Sequence, residues 1–303
     1  MIVFAIIIGA GLACQSAVNA KLRSYVLSPF TASMISFFVG ACILTILSFT
    51  SGFLFWKEWA VLKGEPYWLL CGGLLGVFSL TMNIILFQKV GGVMAAVLPI
   101  FGQVVMGTLI DQFGWFASPI DPLTVIKGIG LVIVLLGVLL ATESFKKQES
   151  AEKSQLGWKI VGVFAGVAVA TQATVNGQLA AILQSTLLST QISFYIGLIA
   201  LCLIVLLTKS PIKTIQNAVA VPIKQYWIFL GGALGAFYVF GAAKLAPIIG
   251  TGHFVIYALF GQLVCSMLID HFGLLHAPVK RVSYSKAVGL VTMLIGIILM
   301  KLI

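Results

Sequence analysis

GAGLACQSAVNAKLRSYVLSPFTASMISFFVG, residues 9–40, returns with altered letters as GVAVATQATVNGQLAAILQSTLLSTQISFYIG at residues 166–197. Gly9, Gln15, Asn19, Leu22, Ser36, Phe37 and Gly40 recur without a gap as Gly166, Gln172, Asn176, Leu179, Ser193, Phe194 and Gly197. A second block repeats too: FGQVVMGTLIDQFG at 101–114 answers FGQLVCSMLIDHFG at 260–273. Self-similarity at half the chain length marks a duplicated unit, not a solenoid of short repeats. In an apolar chain, a two-fold duplication is the signature of a transporter fold.

Composition leads to the membrane independently of the repeat. The chain is 60% hydrophobic and 9% charged, against roughly 25% charged in a soluble domain. So few charges cannot cover a soluble surface of this size. Apolar runs of about 18–22 residues recur, long enough to cross a hydrocarbon core roughly 30 Å thick. Ten fit, near 2–20, 30–52, 67–87, 91–110, 126–144, 160–177, 187–208, 226–245, 250–270 and 286–303. The expected fold is therefore all-α and polytopic, with ten transmembrane helices as two inverted five-helix repeats, 1–144 and 159–303. Between them, 145–158 lies in ESFKKQESAEKSQLGWK (143–159), the one strongly polar stretch, which reads as a linker. Most prolines fall in or beside loops; Pro99 and Pro247 do not, one inside a span and one near a span end.

The N-terminal segment has the apolar core of a secretory signal but no basic n-region. Its repeat partner at 160–177 is internal, so residues 2–20 are read as the first membrane helix. Five spans per half is odd, so the second half enters from the opposite side. With both termini outside and the linker cytoplasmic, 13 of the 18 basic residues fall on the cytoplasmic side, as the positive-inside rule requires. The net charge of +10 is thus a topology signal, and no basic patch with aromatics points to nucleic acid. The five cysteines all lie in spans with no CxxC spacing, which argues for packing and against a metal site or disulfide framework.

The pattern G-x5-Q-x3-N-x2-L, then S-F-x2-G, a Gly-Gly-rich third span and G-Q-x-V/L-x5-I-D-x-F-G resembles the YdcZ-type branch of the drug/metabolite transporter superfamily. That resemblance implies five-span units, found as separate chains or as fused pairs of opposite orientation. It also implies an exporter in the bacterial inner membrane, with no stated substrate. Where the related small multidrug exporters carry a first-span glutamate, this chain has Gln15. An amide does not titrate at physiological pH, which weighs against proton-coupled antiport of lipophilic cations.

Polar side chains within spans are expensive and face a protein interior or a water path. Gln15 and Asn19, spaced i, i+4, share one helix face, as do Gln172 and Asn176. Four such amides near a pseudo-two-fold axis would bind a polar solute, or they would serve as interhelical hydrogen bonds. Gln103 and Gln262, each beside a glycine, complete the candidate substrate-binding set. Asp111 and Asp270 follow eight residues later, about 12 Å along a helix, as caps and ion-pair partners or as proton-binding gates. Lys127 and Lys286 are also repeat-equivalent and read as snorkelling lysines. Asn83, Lys244 and His253 have no counterpart in the other half. His253 is the candidate proton carrier, since its charge switches near neutral pH, although an interfacial histidine explains it as well. Gly72-x3-Gly76, Gly231-x3-Gly235 and Gly162-x3-Gly166 form stripes for close helix contact.

No Walker motif, HExxH or Ser/His/Asp cluster is present, so neither ATP-driven transport nor an enzyme is indicated. The sequence thus predicts a secondary transporter, without cofactor, of a small polar metabolite or drug by alternating access, with a proton as candidate coupling ion. The rivals are a non-transporting membrane scaffold or assembly partner and a passive channel. A fused pair completes a pseudo-symmetric unit alone, so a monomer is expected, with a dimer as alternative.

Overall fold

The computed structural model describes residues 1–52, 59–142, 156–208, 216–218, 220–276, 279 and 282–301. The linker 145–158 therefore lies mostly outside the described residues. Ten α-helices are described: α1 Ile2–Val26, α2 Pro29–Thr50, α3 Gly72–Lys89, α4 Gly91–Phe113, α5 Val125–Ala141, α6 Leu156–Ile182, α7 Thr186–Leu207, α8 Leu230–Ile249, α9 Thr251–Phe272 and α10 Tyr284–Lys301. No strand occurs among the described residues. Eight helices are long and apolar enough to cross a membrane; α5 and α10 are apolar but shorter, and they pack on each other. The chain is a polytopic helical membrane protein.

Local sequence explains the boundaries. Ser28 caps α2 by accepting from Thr31 N–H with Pro29 in the first turn, and Ser185 caps α7 by accepting from Leu188 N–H. Gly114 and Gly273 end α4 and α9 in the left-handed region at φ 65° and 63°. The helices α1 and α6 outrun their apolar cores, because Lys21 to Val26 and Gln178 to Ile182 still offer good helix formers until a left-handed residue stops them. Both Pro99 and Pro247 sit inside helices.

Neighbours are exchanged between the halves. α1 packs on α9 and on α8, while α6 packs on α4 and on α3. α2 meets α7, and α5 meets α10, in each case a helix against its own repeat equivalent. Phe37 and its repeat equivalent Phe194 touch each other, ring centroids 4.9 Å apart. Glycines set these approaches. A Cβ at Gly9 would overlap the Ala258 carbonyl oxygen, and one at Gly166 the Pro99 carbonyl oxygen. Gly130 and Gly137 of α5 interlock with Gly296 and Gly289 of α10 in the same way.

Candidate functional site

The repeated amides lie on the seams between the halves. Gln15 and Asn19 of α1 reach α8, where Cβ atoms at Gly235 and Gly231 would collide with them; Gln172 and Asn176 of α6 do the same at Gly76 and Gly72 of α3. The two Gly-x3-Gly stripes are thus slots for amide side chains. The missing Cβ opens a slot that any larger residue would fill: at Gly235 it would lie 2.5 Å from Gln15 Nε2, and at Gly76 2.5 Å from Gln172 Nε2. The glutamine and asparagine of each pair share a helix face and a partner helix, while the two pairs use different partner helices.

Within each pair the chemistry divides. Ser36 Oγ donates to Asn19 Oδ1 at 2.6 Å, and Asn176 Nδ2 donates to Ser193 Oγ at 3.2 Å. Asn19 Nδ2 and Asn176 Oδ1 have no partner among the described residues. The asparagines therefore tie the first helix of each half to the second, through serines that the same repeated motif supplies. Gln15 (7% exposed) and Gln172 (6%) are as deeply set, yet neither makes a side-chain hydrogen bond among the described residues. Gln172 lines a small recess with Val169, Ala173, Tyr238, Val239 and Ala242. Unlike Asn19 Nδ2 and Asn176 Oδ1, the polar atoms of Gln15 and Gln172 are not among the fully buried ones, so they are left able to bond water or a solute. Gln103 is buried in α4 without a bond of its own, and Gln262 of α9 leaves Oε1 without a partner among the described residues. Their neighbours Gly102 and Gly261 sit where a Cβ would strike the carbonyls of Val163 and Ile6.

The paired aspartates part company. Asp111, 4% exposed, accepts from Thr251 N–H through Oδ1 and from Gly252 N–H through Oδ2, both at 2.7 Å. It caps α9 across the halves, where orphan N–H groups and the helix dipole favour an anion. Gly250 precedes that helix at φ 85°, and a Cβ there would lie 2.7 Å from Asp111 Oδ2, so glycine is needed on both counts. Thr174 and Thr251 hydroxyls, 2.9 Å apart, tie α6 to the same point. Asp270 instead pairs with Lys286 at 3.6 Å. The cause is in the sequence: in the first half Asp121 takes Lys127, the equivalent of Lys286, whereas Lys280 stands at the position equivalent to Asp121. Lys127 is thus neutralised without Asp111, which is left for α9.

His253 lies beside this latch with Nδ1 3.4 Å from Asp121 Oδ2. Asp111, Asp121, Lys127, His253, Thr108 and Gly252 line part of a small recess of about 20 Å³. The structure therefore assembles Asp111 and His253 at one end of the molecule, and it places Asp270 elsewhere. Sequence reading missed Asp121, whose signal is the sign reversal to lysine at its equivalent position. It also missed the approach of Cys14 to Cys265, with Sγ atoms 3.7 Å apart across α1 and α9; only a contact between repeats reveals that.

Comparison with known proteins agrees with this architecture. A crystal structure of another protein, 14% identical, superposes with a TM-score of 0.69 over 98% of this chain and 96% of its own, a likeness of fold. No curated protein matches the sequence. The model of the family described as "Putative inner membrane exporter, YdcZ" matches residues 1–140 and 157–299, nearly everything outside the linker, and the chain belongs to that family of multi-pass inner membrane proteins.

Proposed function

We propose that the protein is a secondary transporter exporting a small polar metabolite or drug, by alternating access of two inverted five-span repeats. The observation that carries this reading is the pair Gln15 and Gln172, each over nine-tenths buried on a seam between halves and without a side-chain hydrogen bond among the described residues. Discontinuities and binding groups at a repeat interface near mid-membrane are where transporters hold solute. The asparagines hold helices within each half, and the glutamines offer donor and acceptor to cargo. The Asp111 latch closes one end while its counterpart at Asp270 is unlatched, the asymmetry expected of one of two exchanging states. His253 and Asp121 at that latch are the groups through which a proton would be coupled. Orientation follows the basic residues, with both termini outside and the linker cytoplasmic. One chain supplies both halves, so the working unit is a monomer.

The test compares the culture medium of cells producing the wild-type protein, no protein, and Gln15→Leu/Gln172→Leu at equal membrane abundance. At least one metabolite should accumulate outside only with the wild type. Media that match with and without the wild-type protein overturn the transporter reading. Unchanged accumulation in the variant overturns the role of the glutamines.

A further inference from the structure

Equivalent helices are covered unequally. Two-thirds of the most apolar stretch of α6 is buried (67%), against 39% for α1. α6 packs along α8, but the equivalent pair, α1 and α3, makes no comparable contact among the described residues. On α6, Ala173, Gly177 and Ala180 are buried, and Pro247 would meet a Cβ at Gly177. Their equivalents on α1 are Ser16 and Ala20, both exposed, and Arg23, half-buried. Across from them, Asn83 on α3 is exposed where its equivalent Ala242 is buried. Ser79 stands where Tyr238 fills the other side with a ring that is 6% exposed. α1 and α3 thus lack the packed seam that joins α6 to α8, and Ser16, Ala20 and Asn83 are left exposed along this face.

This face runs toward the linker end of the molecule, where Lys89 at the end of α3 stands over the Trp158 ring in the first turn of α6. At that end Arg23 Nη1 donates to the Ile84 carbonyl oxygen at 3.4 Å, and the Arg23 Nε is buried without a partner among the described residues. No carboxylate pairs with Arg23 among the described residues. An exposed amide and a guanidinium with spare donors are costly against lipid but suited to water and an anion.

We propose that α1 and α3 bound a cleft which, with Ser16, Asn83 and Arg23, is the solute entry site and that the solute carries an anionic group, a carboxylate, phosphate or sulfonate. The proposal rests on the transporter reading, and it is tested without transport. Ser16→Cys and Asn83→Cys are each purified in dodecylmaltoside and reacted with anionic sulfonatoethyl methanethiosulfonate or cationic trimethylammonioethyl methanethiosulfonate. Peptide mass spectrometry then locates the modified sulfur among the native cysteines. Both positions should react, and Ala173→Cys and Ala242→Cys should not. After correction for intrinsic reactivity, the anionic reagent should be favoured about tenfold through field focusing in a low-dielectric cleft. Arg23→Gln should abolish that preference and Arg23→Lys should keep it, with both variants eluting as the wild type on gel filtration. No reaction at positions 16 and 83 overturns the cleft, and equal rates overturn the anion. A preference that vanishes in vesicles containing phosphatidylglycerol assigns Arg23 to a lipid headgroup and overturns the solute site.

Discussion

Glutamine and asparagine differ by one methylene, and at this seam that decides what each can reach. Asn19 meets Ser36 at 2.6 Å, while Gln15, one turn away, extends over Gly235 and finds no bonded partner. Asn19→Ala removes the acceptor for a buried hydroxyl, which costs about 1–3 kcal/mol; a clear fall in Tm of the detergent-purified protein should follow. Gln15→Met keeps the volume over Gly235 and removes no hydrogen bond seen among the described residues, so its Tm should stay within a degree or two of the wild type. Equal losses in the two variants would mean that the glutamine is structural after all. Gly9→Ala should destabilise by about 1–3 kcal/mol through overpacking, because the new methyl meets a backbone carbonyl that has no rotamer to escape into. The repeated letters made these residues findable: Gln, Asn, Ser, Phe and Gly all lie on the seams, Asn against Ser and Phe against Phe. Their division of labour was not legible, since partner choice depends on helix rotation and depth that spacing leaves open.

Among elements, the Asp111 latch and the α1–α9 seam are the most exposed to experiment. Removing the charge with Asp111→Asn leaves one acceptor oxygen for two N–H donors, with a side-chain N–H2 facing one of them. Charge-assisted bonds of this kind are worth about 1.5–3 kcal/mol. Asp270→Asn breaks a pair at 32% side-chain exposure, worth about 0–1 kcal/mol. Thermal denaturation should therefore separate two substitutions that are identical in sequence context. The sequence placed both aspartates at span ends correctly, yet it could not say that one caps a helix from the other half. Packing of α1 on α9 has its own reporter in Cys14 and Cys265, whose Sγ atoms at 3.7 Å need a modest shift to reach a bond of about 2 Å. Mild oxidation, followed by proteolysis within 143–155, should leave the halves joined on a non-reducing gel. Separate fragments would show that this seam is not formed as described.

For the whole molecule, the alternating access proposed above raises the question of what would decide which end is closed. Two differences between the halves bear on it: Tyr238 against Ser79 inside the bundle, and Asp121 against Lys280 at the ends. If charge decides, exchanging the second pair should exchange the ends. In Asp121→Lys/Lys280→Asp, Lys127 loses its partner and is drawn to Asp111, weakening the cap on α9. Lys286 gains a competing carboxylate in the same step, which frees Asp270 to cap α4 at Gly92, the position equivalent to Thr251. The net charge is unchanged, but one lysine moves from a cytoplasmic loop to an outer one, against the positive-inside bias, so orientation is verified before the labelling is read. Thiol labelling at Ser16→Cys should then fall several-fold and labelling at Ala173→Cys should rise, because a shift of about 1.4 kcal/mol alters the ratio of the two states tenfold. An unchanged labelling pattern, with Tyr238→Ser in place of the charge exchange producing the shift, would assign the choice to packing. On the alternating-access proposal, duplication supplies two equivalent conformations, and the positions where the copies differ set their relative energies.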